Sequence, residues 1–62
     1  MNPITRFFER RKLLKGLYNA CARYDHLAVH MYARALVHAD PKYAEQWDHV
    51  ASVALRAHME GH

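Results

Sequence analysis

Two glycines and two prolines are all that punctuate this chain: Gly16, Gly61, Pro3 and Pro41. Between them run long stretches of helix formers with few β-branched residues. The expected fold is all-α, a small helical hairpin with an additional N-terminal helix. That makes two to three helices in a single domain over residues 1–62. The first helix is expected over about 3–15, with Asn2 as N-cap and Pro3 at the first helical position. On it, Ile4, Phe7, Leu14, Tyr18 and Cys21 recur at helical spacing on one side, interrupted by Arg11. Gly16 weakens a helix by roughly 1 kcal/mol relative to alanine and marks a kink or short break.

The second helix is expected over about 17–39. Tyr24, Ala28, Met31, Ala35 and Ala39 form one apolar stripe, and Val29, Ala33 and Leu36 form a second. His26, His30 and Arg34 make the main polar strip. A helix apolar on most sides is packed on most sides, so this one is central or lies in an oligomer interface. Asp40-Pro41 is the clearest boundary. The residue before proline avoids helical dihedrals, while Asp40 can cap the next helix and Pro41 suits its first turn. The third helix is expected over about 41–59, ended by Gly61. Its buried stripe is Tyr43, Trp47, Val50, Ala54 and Ala57, with Lys42, Glu45, His49, Ser52, Arg56 and Glu60 facing water. So short a link makes helices two and three an antiparallel pair.

Ten residues are alanine, which favours helix and close approach but supplies little buried area. With only 62 residues, burial against another chain is the expected remedy. The molecule is therefore expected to be oligomeric or partner-bound.

The spacing of Ala28, Tyr32 and Ala35, with Gly16 twelve residues before and Trp47 six after Pro41, resembles a tetratricopeptide-type repeat. That resemblance implies helix pairs that bind peptide or protein segments. Ala28, Tyr32, Ala35, Ala39 and Trp47 are also similar to the pattern of the short ANR-type proteins. Those are negative regulators of AraC-type activators in Gram-negative bacteria and their phages. Where that family carries a later arginine and cysteine, this chain has Ala51 and Leu55. The resemblance implies a bacterial or phage regulator acting on a transcription activator.

Charge is unevenly placed. The formal net charge is +3, and residues 1–16 hold five of the nine bases, Arg6, Arg10, Arg11, Lys12 and Lys15, against Glu9 alone. A basic segment of this kind docks on an acidic protein surface, on phosphate, or simply solubilises. Phe8 points away from the apolar stripe and is a candidate partner contact. Tyr24 and Tyr32 are candidates where helix two meets a partner, since aromatics and arginines are the usual anchors.

Several classes are set aside. No apolar run approaches the roughly 20 residues of a membrane span. Met1 to Lys15 is charged and lacks the apolar core of a signal peptide. One cysteine makes no internal disulfide. A cytoplasmic chain is expected. His26 and His30 stand at a chelating spacing, but a structural metal site needs about four ligands and only two are placed, so no metal or other cofactor is assigned. Cys21 reads as a core thiol. There is no phosphate loop, paired-carboxylate arrangement or nucleophile elbow, so no catalytic residues are assigned and no enzyme is expected.

The reading is a small non-enzymatic regulator or inhibitor that binds another protein through apolar helix faces and a basic first helix. Its contact residues are Phe8, Arg10, Arg11, Lys12, Lys15, Tyr24 and Tyr32. A homodimer is among the expected assemblies. The alternatives are a nucleic-acid-binding module using the basic N-terminal helix and a structural subunit of a larger assembly.

Overall fold

A computed structural model describes residues 3–61. The chain is all-α: α1 spans Pro3–Ala22, α2 His26–Ala39 and α3 Ala44–Glu60, with a 3-10 turn at Pro41–Tyr43 before α3. Asn2, the expected cap of α1, lies outside the described residues.

The first boundary differs from expectation. α1 runs straight through Gly16, and the break comes at residues 23–25. Gly16 serves packing rather than termination. A Cβ built there would stand 2.5 Å from the Tyr32 ring, so only glycine lets that ring lie against the α1 backbone. The real stop is a Schellman closure. The Asp25 amide donates to the Ala20 carbonyl at 2.9 Å and the Tyr24 amide to the Cys21 carbonyl at 3.0 Å. Tyr24 holds the left-handed position, φ 55°. Asp25 then opens α2, its carboxylate accepting from the Ala28 amide at 3.1 Å. Tyr24 thus belongs to the turn and not to a helix-two stripe.

The second boundary falls where Asp40-Pro41 placed it. The Asp40 amide donates to the Leu36 carbonyl at 2.8 Å, closing α2, and the Tyr43 amide returns to the Asp40 carbonyl at 3.1 Å. The Asp40 carboxylate, however, does not cap the following turn. It accepts a hydrogen bond from Trp47 Nε1 at 3.0 Å and faces the Arg10 guanidinium at 3.6 Å. One buried carboxylate therefore ties the end of α2 to both other helices.

α2 and α3 are antiparallel. As α2 advances from His30 to Arg34, its α3 partner retreats from Ala51 to Asp48. α1 is antiparallel to α2 by the same logic, since Gly16 meets Tyr32 and the earlier Arg10 meets the later Asp40. Both pack on α2, and their own Cα atoms nowhere come within 8 Å of each other. The result is a layer of 41 × 21 × 12 Å with α2 in the middle.

The core is Leu17 and Ala20 of α1, Val29, Ala33 and Leu36 of α2, and Ala51 and Ala54 of α3. Leu13, Leu14, Ala28, Tyr32, Trp47 and Val50 pack around it. α1 therefore buries a different side from the expected stripe: Ile4, Phe7, Tyr18 and Cys21 are exposed. With apolar residues on most of its circumference, α1 takes its buried side from Tyr32, which needs Gly16 beneath it. On α2 the second stripe is the core and Met31 is exposed. The polar strip faces α3 in part. His30 Nδ1 lies 2.8 Å from the Ala51 carbonyl, which can only accept, so Nδ1 carries the proton. Arg34 pairs with Asp48 at 2.9 Å. On α3, Ala51 joins the expected core and Tyr43 is exposed, because the 3-10 turn carries it off the α-helical register.

Candidate interaction surfaces

The basic first helix presents two distinct groups of cations. Arg11, Lys12 and Lys15 lie along the outer edge of α1, beside Phe8, Leu14, Tyr18 and Asn19. Phe8 is 62% and Tyr18 66% exposed. The edge therefore joins apolar surface to three positive charges, and helical spacing alone brings them together. Tyr18 was missed as a contact residue because it was counted with the buried stripe.

The second group turns toward the rest of the molecule. Arg10 forms the ion pair with Asp40 and stacks over the Phe7 ring, 5.8 Å from its centroid. Arg6 and Lys42 border the same niche. Arg10 thus also fastens α1 to the end of α2, because the buried Asp40 carboxylate recruits it. Phe7 meets Phe8 edge-on, with centroids 5.6 Å apart.

Tyr32, too, makes a contact within the chain. Its ring is half-buried over Gly16, so it is part of the α1–α2 seam. Tyr24 remains a contact candidate. It is 82% exposed and stands beside a cleft of about 380 Å³. That cleft lies between the C-terminal end of α1 and α3, over Val29.

No family model, curated protein or solved structure matches this chain.

Among the described residues, no group of three or more His, Cys, Asp or Glu side chains is placed to hold a metal ion. His30 is engaged with Ala51, and His38 sits in the last turn of α2, where a cation meets the helix dipole favourably. Among the described residues, no helix is long and apolar enough to cross a membrane.

Proposed function

We propose that this chain is a small regulator that works by covering a surface of another protein, using the outer edge of α1. The observation that supports this reading most is the union of Phe8 and Tyr18, both exposed, with Arg11, Lys12 and Lys15 on one side of α1. An amphipathic helix with acidic flanks is the complementary chemistry: its apolar face meets the rings and its carboxylates meet the cations. The resemblance to the ANR-type regulators would make the partner a bacterial transcription activator. The residues that carry that resemblance, Ala28, Tyr32, Ala35, Ala39 and Trp47, are buried or half-buried here. They build the fold and leave contact to α1.

The experiment is a titration of the purified chain with a fluorescent amphipathic acidic helix, and separately with duplex DNA and RNA, across salt concentrations. Binding of the peptide that is lost in a Phe8→Ala/Tyr18→Ala variant and falls only gently with salt supports the proposal. Tight nucleic-acid binding that collapses with salt would replace it with the phosphate-binding alternative, since each phosphate contact releases counterions. No binding to any of the three sinks both.

A further inference from the structure

We infer that a second copy of this chain docks on the cleft side of the helical layer, with Tyr24 of each copy seated against α3 of the other. The first observation is Tyr24 itself. It occupies the left-handed C-terminal position of a Schellman closure, where glycine is the unstrained residue and a side chain is strained. It is also 82% exposed. The chain keeps a large aromatic at the site least suited to one, and within the protomer that ring gains almost no burial.

Beside it lies the place such a ring can go. The cleft is walled by Cys21 on one side and by Val53, Ala54 and Ala57 on the other, with Val29 below. The small alanines leave a recess, and Val53, 54% exposed, forms a ridge beside it. A projecting ring and a recess on one surface are what an isologous contact uses, each copy supplying both halves. The lining includes no Lys, Arg, Asp or Glu; its polar groups are His26, His49, the Cys21 thiol and the Tyr24 hydroxyl. Two chains of net charge +3 can therefore meet here without apposing fixed charges, which the cationic edge of α1 would not permit.

Size and composition argue for the same occupant. The layer is 12 Å thick, a single helix deep. Among the described residues, five of the eight buried apolar ones are alanine, and Leu36 is the only large side chain fully buried. A stable domain packs at least two layers of secondary structure over one core, and this chain supplies one. The partner that always accompanies a newly made chain, at equal concentration, is another copy.

The test is sedimentation equilibrium with circular dichroism on the full chain across a dilution series, repeated for Tyr24→Gly and Val53→Glu. The wild-type chain is expected at twice the chain mass, dissociating on dilution with loss of helicity. Tyr24→Gly relieves the turn, so it should stay helical at high concentration while its dimer dissociation constant rises roughly tenfold or more. Val53→Glu should raise it further. Maleimide labelling of Cys21 should slow as concentration rises. Phe8→Ala/Tyr18→Ala should leave the mass unchanged, which separates this face from the outer edge of α1. A helical monomer at every concentration overturns the inference, as does a dimer indifferent to both substitutions. So does a wild-type chain that is poorly helical throughout, whose face another protein must then complete.

Discussion

The hairpin of α2 and α3 and the helix that precedes it use similar residues to different ends. In the hairpin, polar side chains are committed to the seam: His30 to the Ala51 carbonyl, Arg34 to Asp48, Trp47 to Asp40. α1 reaches the others through small surfaces, chiefly Gly16, Leu17 and Ala20, and through Arg10. Its remaining circumference carries Ile4, Phe8 and Tyr18 beside Arg11, Lys12 and Lys15, all solvent-exposed. Surplus apolar surface on an otherwise well-anchored helix is what a binding element requires, and the hairpin keeps no such surplus on its seam.

Substitutions can break that contrast. The largest effect is expected at Leu36, which lies at the centre of the layer with no exposed surface. Leu36→Ala should cost about 2–5 kcal/mol. That is enough to abolish the cooperative thermal transition of so small a domain. Asp40→Ala comes next. It strips the partner from both the Trp47 indole and the Arg10 guanidinium, and should cost about 2 kcal/mol in chemical denaturation. Asp40→Asn should recover part of it by keeping an acceptor for Trp47.

Gly16→Ala sharpens the comparison because two principles give opposite signs. Helix propensity favours alanine by about 1 kcal/mol. The Tyr32 ring, 2.5 Å from the new Cβ, must move. We expect a net loss of about 1 kcal/mol, and a reversal to stabilisation when the same change is made in a Tyr32→Ala background. The smallest effect belongs to the outer edge. Phe8→Ala/Tyr18→Ala should shift stability by no more than about 0.5 kcal/mol, measured at fixed protein concentration. A larger shift would mean that these rings support the fold and are not held for a partner.

The boundary at Asp40-Pro41 was legible because it is local: proline lacks an amide and restricts the residue before it. The boundary at Tyr24 was not. The usual signal is a glycine in the left-handed position, and here that position holds a tyrosine while the glycine sits mid-helix. Which side of α1 is buried was equally hidden, since its apolar residues surround it and the choice is made by Tyr32 on another helix. The same fact divided the candidate contacts. Phe8, Arg11, Lys12 and Lys15 stayed together because helical spacing alone joins them. The contacts that Arg10 and Tyr32 make within the chain depend on Asp40 and Gly16, which are distant in sequence.

The outer helices each lean on α2 and not on one another. The molecule is thus a short chain of nearest neighbours, closer in kind to a repeat array than to a bundle. Its contacts span adjacent helices across turns of a few residues, so each pairing closes a short loop and folding can proceed as two local zippings around one shared element. Opening follows the same grain. α1 can peel away without any α3 pairing to undo, and the amides of α2, covered from both sides, are the last to exchange with solvent.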